Sequence, residues 1–328
     1  MPSYNHAAYV SDALNSIVQQ SFRDLQIIVV DDGSSDESVE IIRKNKDERI
    51  ELIASSRNLG ACNALNVGIA QAKGEYIAIL NSDDLWHHEK LSKQLAIFES
   101  NPEIGAVFSN ARFVDQRGTP IADGDLGPRA QIFNQQNRSR HQWLRRLFLS
   151  GNCLCHPSLL IRKSVYDAVG LYDNRFRQLP DLDMWIRVCK RHEIYVCGDQ
   201  LVDFRLLDDE ANTSGRTPVT KTRTCNEHLL IGQSFYDNLD NQDFEIAFKD
   251  LFIKRDAHAP EELEAEKAFL YFAAESPLRE VYAPAGFLAL YRLLGNEMSR
   301  QTLLNQYGFG DLQFHEYMSR VCLRVERP

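Results

Sequence analysis

Between residues 25 and 109 the chain repeats one pattern: a short run of β-branched and aliphatic residues, then a stretch whose apolar residues fall three and four apart. Strands and helices that alternate in this way bury their apolar residues when the strands align as a sheet and the helices cover its faces. Residues 25–30, 50–54, 76–80 and 105–109 read as the strands. Residues 8–20 read as a helix with Ala13, Leu14, Ile17 and Val18 on one face, as do 60–72 and 89–100, the last with Leu91, Leu95 and Phe98 at core spacing. Ser34-Ser35-Asp36-Glu37 has the form of a capping box and is expected to open a helix through Arg43. The fold class is therefore α/β.

Beyond this frame the pattern changes. Residues 115–140, rich in Gly, Asp, Gln, Asn and Arg, read as a loop over a cleft. Helical patterns resume at 143–149, 164–169 and 181–191, an extended run at 158–161, and a strand with a turn at 194–202. From about residue 217 the strand signal fades, and 221–239, 261–275, 285–294 and 314–325 read as helices. Three regions are expected: 1–114, 115–215 and a helical C-terminal region, 216–328.

Composition narrows the function classes. With 37 Lys and Arg against 46 Asp and Glu, the 328-residue chain carries a formal charge of −9, which argues against a general phosphate-backbone-binding surface, and no nucleic-acid partner is expected. Hydrophobic content of 44% with 25% charged residues is that of a globular protein and excludes a disordered or collagen-like chain. Apolar stretches such as 285–294 fall short of the roughly 20 residues of a membrane span, and no signal-peptide pattern opens the chain. The seven cysteines are odd in number and form no C-x-x-C pair, so packed, reduced thiols and a cytoplasmic location are expected. Cys153-Leu154-Cys155 is read in the same way rather than as a ligand pair.

Two of the strand runs end in acidic pairs, Asp31-Asp32 and Asp83-Asp84. In an open α/β sheet the carboxyl ends of the strands line the ligand crevice, so acids placed there face a shared site. One carboxylate would accept hydrogen bonds from a base or ribose and another would hold a divalent cation against a diphosphate. The alternative is that each pair caps the helix that follows. There is no G-x-G-x-x-G, no G-x-x-x-x-G-K-[ST], no H-E-x-x-H and no G-x-S-x-G, so phosphate neutralisation falls to a metal rather than a glycine-rich cradle.

These residues carry a resemblance. Met1-Pro2-Ser3-Tyr4-Asn5-His6, Asp31-Asp32-Gly33-Ser34-Ser35-Asp36, Arg57-Asn58-Leu59-Gly60 followed by Asn66 and Gly68, Gly74-Glu75-Tyr76 through Asn81-Ser82-Asp83-Asp84, and Asp181-Leu182-Asp183-Met184-Trp185 occur in the order seen in glycosyltransferase family 2. From about residue 1 to residue 210 the chain resembles a sugar transferase of the GT-A fold, a Rossmann-like mixed sheet flanked by helices. The resemblance implies that Pro2, Ser3, Tyr4 and Asn5 hold the nucleotide, that Asp32 contacts the base, and that Asn58, Gly60 and Asn66 belong to the donor side. It implies Asp83 toward ribose and metal, Asp84 toward the metal, which is Mg²⁺ or Mn²⁺, and Asp181 as the catalytic base. Trp185 would shape the acceptor side, and His156 stands where the family often has a residue near the acceptor.

The plain readings stay beside these. Asp181 after Pro180 also suits a helix start, Trp185 a core aromatic, and His156 a structural role, while His87-His88 reads as surface at a helix start rather than as a ligand pair. The chain also departs from the family pattern. Relatives have a hydrophobic strand before the Pro-Ser-Tyr-Asn segment, and here Met1 directly precedes Pro2, so the natural protein is expected to start upstream. Leu65 stands where many relatives carry Arg, Pro180 where an acid often precedes the base, and Leu207 where many have a metal-shell His.

The implied function is inverting transfer from a nucleotide sugar, with a UDP-sugar favoured, to an acceptor hydroxyl of a surface polysaccharide, glycolipid or glycoprotein glycan, by a soluble enzyme or one peripheral at the inner membrane face. The alternatives are a non-catalytic sugar-nucleotide or glycan-binding subunit and a sugar nucleotidyltransferase. The C-terminal helices are open to homodimerisation, acceptor binding, membrane docking or packing onto the first domain.

Overall fold

The structure is a computed structural model that describes residues 1–207, 215 and 217–320. It divides into two compact units, Met1–Arg140 with Asn152–Thr220, and His141–Gly151 with the chain from Lys221 onward.

The first unit is built on two sheets. β2 (Ile27–Asp31) lies between β1 (Pro2–Ser3) and β3 (Ile50–Ala54), all parallel, with Pro2 opposite Val30 and Ser3 opposite Asp31. All of β2 is buried, the condition under which a strand reads as an uninterrupted apolar run. The second sheet has the order β4-β7-β6-β8-β5, from β4 (Tyr76–Ala78), β5 (Leu85–Trp86), β6 (Ile104–Val114), β7 (Leu160–Arg162) and β8 (Glu193–Arg205). It is mixed: β6 and β8 run parallel, whereas β7 is antiparallel to β4 and β6, and β5 to β8.

Helices cover these sheets as the periodicity predicts. α1 (Val10–Val18) buries Val10, Ala13, Leu14 and Ile17, and α4 (Lys90–Ser100) buries Leu91 and Phe98 in the same cluster as Val107, Leu160 and Val202. Each such side chain contributes about 1.5–3 kcal/mol by leaving water. α3 (Ala61–Gln71) places Ala64 against Ile28 and Val30 of β2. Leu65, where an arginine had been the family expectation, is buried on the same helix.

One local reading is corrected. α2 (Ser38–Lys44) starts later than the capping-box motif implies, with Glu37 at its N-cap and no side-chain cap bond. The motif's side chains are engaged elsewhere: Ser34 Oγ donates to Asp31 and accepts from Asn5 N, and Asp36 accepts from Ala7 N and Ser38 N. They tie this loop to residues 5–7 instead of closing a helix end.

Residues 115–140 form a tight turn in which Asp115 Oδ1 accepts from the amides of Arg117 and Thr119, then the short α5 (Asp123–Leu126) and irregular chain. α7 (Lys163–Val169) and α8 (Pro180–Cys189) complete the first unit. Cys62, Cys153, Cys155 and Cys189 are buried thiols in no disulfide among the described residues; Cys322 lies outside the described residues.

The second unit is helical. α6 (Arg140–Ser150) sends Phe148 into an aromatic core with Phe235, Tyr236, Phe248, Tyr271 and Tyr282, its ring stacked on Tyr282 at 5.3 Å. The other helices are α9 (Pro218–Gln233), α10 (Asn241–Phe248), α11 (Pro260–Leu270), α12 (Arg279–Leu294), α13 (Glu297–Tyr307) and α14 (Asp311–Arg320). The 314–325 helix is described as far as Arg320; its remainder lies outside the described residues. The helix expected at 285–294 begins earlier, at Arg279, and carries Pro284 inside it. Among the described residues no helix is long and apolar enough to cross a membrane.

Candidate active site

β2 ends at Asp31, and its two oxygens are taken by Ser34, whose N and Oγ donate at 2.8 and 2.6 Å. Asp32 points the other way. Its Oδ1 accepts from Leu59 N at 2.9 Å and its Oδ2 from Gly60 N at 2.7 Å, so it caps the start of α3 while standing at the strand exit. Between the turns, Gly33 has φ +77°, and a Cβ there would lie 2.7 Å from the carbonyl carbon of Arg57. Only glycine lets these two segments approach so closely. Asn58 is exposed in the same loop and its Oδ1 accepts from Gly60 N.

The segment Pro2–Asn5 runs beside this exit. Ser3 is buried and its carbonyl accepts from Asp32 N, whereas Tyr4 presents its ring at 44% exposure. Asn5 takes a left-handed conformation, φ 51°, which asparagine tolerates better than most residues. It is held there by donating its N–H to Ser34 Oγ and accepting from Ser35 N. His6 follows, with Nδ1 2.8 Å from Ser82 Oγ, and its ring lies within electrostatic reach of Asp83.

Asp83 and Asp84 follow β4 after a four-residue connection, stand immediately before β5, and are both buried. Asp84 accepts from Asn81 Nδ2 at 2.9 Å and from Arg205 N at 2.8 Å. Burial first, and then repulsion from Asp83, push its carboxyl well above the usual carboxylate range. Burial pushes Asp83 in the same direction, opposed by His6 and Arg205. The guanidinium of Arg205 is buried, donates to the carbonyls of Asp83 at 2.7 Å and Gln116 at 2.7 Å, and lies over the Tyr9 ring at 5.0 Å. The arrangement is a buried pair of adjacent carboxylates. Its hard oxygen donors suit Mg²⁺ or Mn²⁺. Among the described residues no group of three or more His, Cys, Asp or Glu could hold a metal.

Asp181 stands in the first turn of α8, after Pro180. Its Oδ1 accepts from Leu182 N at 2.8 Å and its Oδ2 from Asn152 Nδ2 at 2.5 Å. The Cys155 thiol connects it to the acidic pair, for both Asp84 and Asp181 act electrostatically on that thiol, which burial already pushes well up. Asp84 and Asp181, which both act on this thiol, lie about a hundred residues apart in the chain.

His156 opens the turn after Cys155. Its Nε2 is 2.9 Å from Tyr172 Oη, and desolvation pushes its pKa down to about 4, so it is neutral at physiological pH. Trp185 is buried, packing edge-on against Phe108 at 4.8 Å and 5.8 Å from the His156 ring, so it supports the histidine from below. Asn66 does not turn toward the acids. It donates to Tyr172 O at 2.8 Å and accepts from Tyr172 N at 3.0 Å, clamping the segment that carries the partner of His156. His87 lies 3.0 Å from Asp203 and His88 2.5 Å from the carbonyl of Gln19, so both have other partners.

Arg205, Asn81, Asn152 and Tyr172 were not singled out from the sequence. Arg205 left one signal, a charged residue at an inward position of the apolar run 201–206. The others are polar residues in loops and gave none.

A strand-exit acidic pair in a mixed α/β sheet, with a third acid at a helix start, is the framework of a GT-A glycosyltransferase. The chain belongs to Glycosyl transferase family 2, whose family model matches residues 1–170. It is 28% identical over 224 residues, 67% of this chain and 83% of the other, to the Bacillus subtilis glycosyltransferase TuaG, named for teichuronic acid biosynthesis. Among solved structures, S. aureus TarS 1–349 in complex with UDP-GlcNAc matches with a TM-score of 0.54 at 17% identity, over 99% of this chain and 92% of that one. The Pyrobaculum calidifontis mannosyltransferase PcManGT, in complex with GDP-Man and Mn²⁺, matches with a TM-score of 0.51 at 18% identity, over 97% of this chain and 81% of that one.

Proposed function

We propose that this glycosyltransferase acts with inversion, moving a sugar from a UDP-sugar to an acceptor hydroxyl with a divalent cation at Asp83 and Asp84. The observation that carries the reading is the adjacent buried carboxylates of Asp83 and Asp84, Asp84 held by Arg205 N and Asn81 Nδ2 and pushed up by burial and by Asp83. Pro2–Asn5, with the exposed Tyr4 ring, and Asp32 form the nucleotide side, Asp32 offering its remaining lone pairs to the base. Residues 1–114 supply the donor side and 115–215 the acceptor side. The cation, when bound, supplies charge that stabilises the departing diphosphate.

Asp181 removes the proton from the acceptor hydroxyl as its oxygen attacks the anomeric carbon. The new carbon–oxygen bond forms as the bond to phosphate breaks, and the electron pair leaves with the nucleoside diphosphate. Neutral His156 orients the acceptor by hydrogen bonding rather than by charge. The UDP-GlcNAc complex of TarS supports the donor assignment, the Mn²⁺ and GDP-Man complex of PcManGT the cation, and the teichuronic acid biosynthesis in the name of TuaG a polysaccharide acceptor.

Calorimetry with UDP and GDP, each with and without Mn²⁺, followed by diphosphate release from the matching nucleotide sugars, tests this. One diphosphate should bind in a cation-dependent manner, and Asp181→Asn should keep that binding while turnover falls about 10²–10⁴-fold. Binding without turnover in the wild type would favour a non-catalytic binding subunit; pyrophosphate release from a nucleoside triphosphate and a sugar phosphate would favour a nucleotidyltransferase.

A further inference from the structure

We infer that Asn152 is the positioning residue for Asp181, holding its carboxylate by an amide whose orientation the surrounding backbone dictates. The inference rests on the reading of Asp181 as the base. Asn152 Oδ1 accepts from Leu154 N at 3.0 Å, an Asx-type turn that has a use only for the oxygen end of the amide. Nδ2 is thereby turned to Asp181 Oδ2 at 2.5 Å, while Leu182 N holds Oδ1 at 2.8 Å. These two N–H groups, one on each oxygen, orient the carboxylate plane at the start of α8. An N–H donated to a carboxylate also favours its ionised form, the form a base must have before the acceptor arrives.

The titratable groups that act on the same point do not compete for this role. Burial pushes both the Cys155 thiol and the Tyr172 phenol well up, so both stay protonated, and Asp183 on the same helix is paired with Arg187 at 2.7 Å.

Asn152→Asp separates this role from a structural one. It keeps an oxygen for Leu154 N, and so the turn, but replaces the donor facing Asp181 with a second negative charge. The probe is the ¹³C carboxyl titration of Asp181, identified by its loss in Asp181→Asn, together with the pH profile of UDP release from UDP-N-acetylglucosamine and a thermal unfolding midpoint as the check on folding. The midpoint should stay near wild type, and both the titration and the acidic limb of the rate profile should move upward by about one pH unit. Asn152→Ala should lower kcat roughly ten- to hundredfold with the donor KM unchanged. A titration that stays at its wild-type position overturns the assignment of Asn152. A titration that moves while the rate profile does not overturns the reading of Asp181 as the base, and with it the role of Asn152.

Discussion

Both units bury acids, but they treat them in opposite ways. In the helical unit three acids end on separate donors: Glu266, still pushed up by burial, accepts from Ile253 N and Lys254 N at 2.8 Å each, Asp243 lies 2.7 Å from His141 Nε2, and half-buried Glu262 takes Lys254 Nζ and the amide of His258. Those contacts hold the Glu262 carboxyl down at about 2. In the α/β unit Asp83 and Asp84 sit side by side near the buried Arg205, whose guanidinium donates to the carbonyls of Asp83 and Gln116, and both carboxyls are pushed up. A buried acid is therefore not by itself a site. Like charges crowded at a strand exit, held against their own electrostatics, mark one.

The comparison can be broken most sharply at Phe148, the buried ring at the centre of the helical unit's aromatic core. Phe148→Ala should cost about 3–5 kcal/mol of stability in urea titrations. If the units are divided as their contacts indicate, calorimetric UDP affinity should stay within twofold of wild type; its loss would show that the donor site depends on the helical unit.

A smaller effect of opposite sign is expected at Asp84. A carboxyl whose folded pKa lies above its unfolded value stabilises the protein fully only below the unfolded value, near 3.8, and that contribution is lost as pH rises through the raised folded value. Asp84→Asn removes the penalty at neutral pH, so Tm at pH 7 should rise by about 2–4 °C for each kcal/mol relieved. The same variant should lose cation-dependent nucleotide binding. A fall in Tm would mean that the pair is already neutralised by its protein partners.

The smallest effect belongs to Glu262. Its depressed carboxyl contributes stability above the unfolded value, near 4.5, and loses it as pH falls through about 2. Because the group is close to solvent, Glu262→Gln should cost only about 1 kcal/mol at pH 6. The difference from wild type should vanish in denaturation curves below pH 2, and a pH-independent difference would point to packing instead of charge.

How much of this was legible in the chain depended on distance along it. Asp31, Asp32, Asp83 and Asp84 could be placed because a β-branched run followed by an acidic pair is a local pattern, and the strand at 50–54 and the helices at 60–72 and 89–100 could be placed for the same reason. α10, α13 and the two-residue β5 were not read, being short or weakly amphipathic. The serine and aspartate of the capping-box motif were misassigned because the same side chains serve a loop partner thirty residues away as readily as a helix end. Asn66 was placed with the donor by its motif, yet its amide is committed to Tyr172, 106 residues on.

The sequence alone determined the class of fold and the location of the acids, because hydrophobic periodicity and strand-end chemistry are properties of neighbouring residues. Tertiary structure decided which acids face one another, how Asn152 meets Asp181, that Arg205 serves the acidic pair, and that α6 joins the helical unit. Those are pairings between residues far apart in the chain. Their energies depend on desolvation and on distances of a few ångströms, which exist only once the sheets have assembled.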